Sequence, residues 1–150
     1  MSVSVDLAPR LTDFAQDLGV ALTWDDAGMA SLVIDKHPIT LVANFPVGHV
    51  TIYTVLGPVA GPARASVLRL MLQANCGWAA TRGATLSLLG GSGDTVLAIR
   101  LPAVSLDATR LRTTLGDLCD TAETWQAVLA SAEHDNNTQP PASVAIGTLA

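Results

Sequence analysis

The chain has 150 residues, enough for one domain with a sizeable core. With 49% hydrophobic and 14% charged residues, it does not have the composition of a disordered chain. A net charge of −5, a pI near 4.8 and a single lysine, Lys36, argue against the basic surface that nucleic-acid binding needs.

The opening "MSVSVDLAPR" has no basic start followed by an apolar run, so no secretory signal is expected. Leu7, Leu11, Phe14 and Leu18 recur at the spacing of one helical face. Asp6 is suited to cap this first helix, Pro9 sits in its tolerated first turn, and Gly19 suits its end. "WDDAG" reads as a turn. "MASLVID" (29–35) alternates as a strand, with Ala30, Leu32 and Ile34 on one face, and "DKHP" is the next turn. "ITLVAN" (39–44) and "HVTIYTVLG" (49–57) are two further strands split by "FPVG", which makes an antiparallel meander the simplest arrangement.

Mean hydropathy is high, +0.41, and 37–63 lacks Lys, Arg, Asp and Glu. That stretch is interrupted by Asn44, Pro46, Gly48, His49, Gly57 and Pro58, so it makes a poor membrane span. The excess apolar content points instead to a subunit interface or an apolar surface patch.

"GPVAGPA" (57–63) is a loop into "VLRLMLQANC", a helix spanning 63–76 that Gly77 stops. Leu68, Met71, Leu72 and Asn75 share one face, while Val67, Leu70 and Ala74 lie on the others. A helix apolar all round is buried on more than one side. Its second side packs either against a second copy of the chain or inside one subunit. "ATLSLL" (84–89) and "TVLAIRL" (95–101) are strands joined by "GGSGD", and Pro102 ends the second. "GGSGD" lacks the Lys-Ser/Thr and the following helix of a phosphate loop, so it reads as a glycine-rich hairpin turn. Ser105 is positioned to cap the last helix, with Asp107 near its positive end. Leu111, Leu115, Leu118, Ala122, Trp125 and Leu129 then step by four, three, four, three and four, the clearest amphipathic pattern in the chain. From Glu133 onward polar and turn residues dominate. The expected domain is 1–132, with a mobile tail over 133–150.

No nucleophile, base and orienting group stand out as a set, so no catalytic residue is assigned. Cys76 falls at a helix C-terminus, where the dipole disfavours a thiolate, and is expected to be a buried structural cysteine. Cys76 and Cys119 have no metal-ligand spacing and make no disulfide framework, which suits a reducing compartment. His37 and His49 lack a third ligand, so no metal is expected. Asp25, Asp26 and Asp35 each adjoin a turn, where Asp bonds its own backbone.

The expected architecture is α+β, in the order α-β-β-β-α-β-β-α, with a twisted antiparallel sheet flanked by helices. Taken together, "WDDAGMASLVID", "VLRLMLQANC", "GATLSLLGGSGDTVLAIRLP" and "LDATRLRTTLGDLCDTAETWQAVL" resemble the class I chaperones of bacterial type III secretion, the Tir/CesT-like effector chaperones. Those show an Asp-x-Gly turn before the first strand, a Leu-rich second helix ending near Ala-Asn, and a Gly-rich hairpin with a Leu-Pro exit. Their last helix has Ala-Glu-x-x-Trp spacing or close to it, here Ala122, Glu123 and Trp125. The resemblance spans roughly residues 5 to 131. It departs at Leu118, where an aromatic residue often stands.

The resemblance implies a cytoplasmic homodimer without catalytic activity, cofactor, nucleic acid or membrane. It would bind the N-terminal non-globular segment of a secreted effector and keep it secretion-competent. It also implies effector-holding patches on the first helix and first strands, hence Leu11, Phe14, Leu18, Leu32, Ile34, Ile39 and Leu41. The alternative is that all of these are plain core. The dimer interface would use Val67, Leu68, Met71, Leu72 and Asn75. A dimeric α+β adaptor for another protein partner is the alternative.

Overall fold

A computed structural model describes residues 7–44, 47–59 and 61–134. Its elements are α1 (Leu7–Asp17), β1 (Met29–Ile34), β2 (His37–Asn44), β3 (His49–Gly57), α2 (Arg64–Asn75), β4 (Thr85–Leu88), β5 (Thr95–Pro102) and α3 (Ala108–His134), with single 3-10 turns at Gly61–Ala63, Ala79–Thr81 and Ala103–Ser105. This is the α-β-β-β-α-β-β-α order, and the fold is α+β. The five strands form one sheet in the order β1-β2-β3-β5-β4. The β1–β2, β2–β3 and β4–β5 pairs are antiparallel. The chain divides into two compact units, Met1–Thr54 with Ile99–Cys119, and Val55–Ala98 with Asp120–Ala150.

In the first unit, α1 buries Leu7, Leu11 and Ala15, a stripe at four-residue spacing. Its end is a Schellman turn. The Gly19 N–H donates to the Gln16 carbonyl, the Val20 N–H donates to the Ala15 carbonyl, and Gly19 takes φ +75°. Asp6, expected to cap the start, lies outside the described residues. Trp24 Nε1 donates to the Thr12 hydroxyl at 2.9 Å, which itself donates to the Ala8 carbonyl, so the segment after α1 is tied back to it. The Asp25 carboxylate accepts the N–H groups of Ala27 and Met29, both at 2.9 Å, and sets the turn into β1. Ala30, Leu32, Ile39, Leu41, Ala43, Val50 and Ile52 then point one way into the core, by the period-two rule.

β2 starts at His37, two residues before the expected Ile39. Ile34 and His37 are partners across a two-residue loop whose first residue, Asp35, is left-handed at φ 53°. Pro38 is tolerated because the β2–β3 ladder begins only at Thr40, so no partner strand needs its missing N–H.

In the second unit, α2 buries Val67, Leu70, Met71 and Ala74. It ends before Gly77, which takes φ +80°. "GGSGD" is the expected hairpin turn. The Leu89 N–H donates to the Asp94 carbonyl and the Gly93 N–H to the Leu89 carbonyl. Along α3, which belongs to the first unit up to Cys119 and to the second from Asp120, all six stripe residues from Leu111 to Leu129 are buried. Trp125, 2% exposed, donates its Nε1–H to the Ala80 carbonyl.

One expectation at the start of α3 is corrected. Its cap is Asp107, whose Oδ1 accepts the Arg110 N–H at 2.7 Å. Ser105 instead donates its hydroxyl to the Pro102 carbonyl. The helix runs to His134, two residues past the expected domain end at 132. Residues 135–150 lie outside the described residues.

Candidate functional site

The function expected here is binding, so the relevant surfaces are apolar and uncovered. In the second unit the phase of α2 decides which side chains are available. Burying Val67, Leu70, Met71 and Ala74 turns Leu68 and Leu72 outward, and Leu72 is 72% exposed. With Ala65, Arg69, Gln73 and Cys76 they line an open depression of about 630 Å³. Among these six residues the one charge is Arg69. The same unit also exposes Trp78, Leu88 and Leu89.

This phase divides the residues of the expected interface. Leu68 and Leu72 are available, but Val67 and Met71 are packed inside their own unit, at 4% and 3% exposure. Asn75 is half-buried, and its carboxamide holds the Leu86 backbone by two bonds. Cys76, expected to be buried, is exposed on the outward face.

In the first unit the expected patch divides in the same way. Leu11, Leu32, Ile39 and Leu41 are core residues and present no surface. In α1 Leu11 lies on the stripe with Leu7 and Ala15, and in β1 and β2 the other three share the inward pleat. Phe14, Leu18 and Ile34 are half-buried and keep an accessible edge. The Arg10 guanidinium lies 5.5 Å from the centre of the Phe14 ring and also donates to the Leu106 carbonyl. A second depression, about 280 Å³, is lined by Thr12, Gln16 and the segment Gly19 to Leu22.

The residues that sequence reasoning missed lie on the outward pleat. Ser31 and Val33 of β1, Pro38, Thr40 and Val42 of β2, and Thr51 and Tyr53 of β3 are half-buried or exposed. Register places Ser31 beside Thr40 and Thr40 beside Tyr53, and Met29 beside Val42 and Val42 beside Thr51. Val33 is 65% exposed. None of these residues is acidic or basic. Their side chains are small, β-branched or aromatic, and His49 lies on the same pleat of β3. The alternation was visible in the sequence, but both pleats carry apolar residues, so it did not say which one faces out.

The carboxylate of Asp25 is engaged in its turn. No group of three His, Cys, Asp or Glu side chains among the described residues could hold a metal ion. Among the described residues no helix is long and apolar enough to cross a membrane.

Comparison with known proteins bears on what these surfaces serve. Residues 10–126 match the family model of the Tir chaperone protein (CesT) family. No curated protein matches the sequence. Among solved structures, the chain is similar to a chain of the ExsC–ExsE complex, with 25% identity and a TM-score of 0.70 over 86% of this chain and 97% of that one. It is similar in fold to a chain of the HopA1–SchA chaperone–effector complex, with 21% identity and a TM-score of 0.68 over 83% and 95%. A chain of the ExoT–SpcS complex from Pseudomonas aeruginosa is 25% identical, with a TM-score of 0.56 over 80% and 97%.

Proposed function

The chain belongs to the Tir chaperone protein (CesT) family of type III secretion chaperones, and from that premise we propose that it works as a cytoplasmic homodimer. It holds the N-terminal, non-globular segment of a secreted effector and keeps it soluble and secretion-competent. It catalyses no reaction and needs no cofactor. The observation that carries this reading is the outward pleat of β1–β3, which holds no Asp, Glu, Lys or Arg, in a chain whose family match spans 10–126. An extended segment laid there places alternate side chains against Val33, Thr40, Val42 and Tyr53. Phe14 and Leu18 of α1, and Ile34 at the end of the inward pleat of β1, offer further half-buried apolar edges in the same unit. The ExsC–ExsE, HopA1–SchA and ExoT–SpcS complexes, each containing a chain of this shape, support a protein partner.

The homodimer rests on α2. A twofold contact would cover Leu68 and Leu72 of both copies at once, so each residue counts twice. Two tests apply. Co-expression with effectors encoded nearby, followed by mass spectrometry of what co-purifies, should recover a secreted protein bound through its N-terminal segment. Calorimetry with that segment as a synthetic peptide should show binding to the wild type. If no effector segment binds the folded protein, the effector reading fails, whatever the oligomeric state.

A further inference from the structure

We propose that Asn75 closes the outer edge of the sheet to strand addition, its carboxamide standing where a neighbouring strand would be. β4 is the last strand in the order, with β5 on one side only. Along an antiparallel strand, alternate residues turn their N–H and C=O to one neighbour and the residues between turn theirs the other way. Leu86 lies opposite Leu97 of β5, yet its N–H donates to Asn75 Oδ1 at 2.8 Å and its carbonyl accepts from Asn75 Nδ2 at 2.9 Å. The backbone groups of Leu86 therefore face outward, and so by alternation do those of Leu88. A carboxamide offers the same one donor and one acceptor as a peptide group. It satisfies Leu86 as a strand would and stops there, because Asn75 is the last residue of α2 and the chain turns away at Gly77.

The consequence concerns specificity. Unpaired strand edges recruit other strands, and natural sheets block them. β4 has four residues, so two outward positions, and Asn75 occupies one of them. Two copies of the chain, or a copy and an extended peptide, are thereby prevented from continuing the sheet through β4. Contacts in this unit are left to side chains such as Leu68 and Leu72. The inference goes beyond the effector reading and does not depend on it.

Hydrogen exchange of the full-length protein tests it, together with light scattering at tens of micromolar. In the wild type the Leu86 amide should exchange at least about tenfold more slowly than the Leu88 amide, the protection expected of one retained hydrogen bond. Asn75→Ala should speed Leu86 exchange by about tenfold while amides in α3 and β2 keep their protection. It should also produce species larger than the wild type, and Leu88→Pro in the same chain should reduce them by deleting one of the two outward N–H groups then open, that of Leu88. The proposal is overturned if Leu86 and Leu88 exchange alike in the wild type. It is also overturned if Asn75→Ala opens the Leu86 amide yet leaves the mass unchanged. Should Asn75→Ala fail to fold, the comparison of the two wild-type amides decides alone. Effector binding is read separately, so a failure here leaves that reading intact.

Discussion

Leu72→Asp separates the interface from the core, because Leu72 is 72% exposed while its neighbour Met71 is 3% exposed. Full burial of a leucine side chain contributes about 1.5–3 kcal/mol. Covering the exposed share of Leu72 contributes about 1–2 kcal/mol per copy, hence about 2–4 kcal/mol across a twofold axis. At 1.4 kcal/mol per tenfold, losing both contacts weakens the dimer roughly thirtyfold to several-hundredfold, before any repulsion between the two carboxylates. The fold should survive, since a substitution at an exposed site usually changes stability by less than about 0.5 kcal/mol. Met71→Asp should behave differently. It buries an unpaired charge at a cost of several kcal/mol, a large share of the total stability of about 5–15 kcal/mol for a small domain. Light scattering should give about twice the 15.5 kDa chain mass for the wild type and a shift toward one chain for Leu72→Asp. Circular dichroism should show Leu72→Asp folded and Met71→Asp unfolded or strongly destabilised. A wild type that stays at one chain mass across micromolar concentrations refutes the dimer. A Leu72→Asp variant that dimerises like the wild type refutes the choice of face.

Other substitutions probe the remaining surfaces and caps. Phe14→Asp and Ile34→Asp, at half-buried positions, should weaken effector binding in calorimetry more than they lower the melting temperature, whereas Leu11→Asp and Leu32→Asp should unfold the first unit. If both half-buried variants stay folded and bind at wild-type affinity, the effector sits elsewhere. Asp107→Ala should cost about 1 kcal/mol in denaturant unfolding and Ser105→Ala much less, because the Asp107 carboxylate accepts the Arg110 N–H. Equal losses would return the cap to Ser105. Trp125→Ala should cost about 3–5 kcal/mol, since it empties a core site and leaves the Ala80 carbonyl without its donor. A loss under about 1 kcal/mol would mean the site collapses around the gap.

What could be read from the sequence depended on whether a segment had one apolar face or two. α3 has one, and its four-and-three stepping from Leu111 to Leu129 picked out six residues that are all buried. β3 likewise runs from His49 to Gly57, as its β-branched run between turn signals suggested. α2 has apolar residues all round, so spacing alone could not choose between Met71 and Leu72. Packing against its own unit made that choice and left Leu72 outside. β1 and β2 pose the strand version of the same ambiguity. Leu32 and Leu41 alternate with Val33 and Val42, and a one-residue change of phase would exchange core for surface. This is why Leu32, Ile39 and Leu41, expected in the effector patch, are core, while Val33, Val42 and Tyr53 on the opposite pleat keep accessible surface. Asn75 shows a different limit. Its position beside Leu72 suggested an interface residue, but its partner is a backbone eleven positions later in the chain. No local pattern contains that information, because it exists only once α2 and β4 are side by side. The residues hardest to read are thus those of the candidate binding surfaces. A surface kept apolar for a partner has the same composition as the core behind it, and only the phase of each helix and strand separates the two.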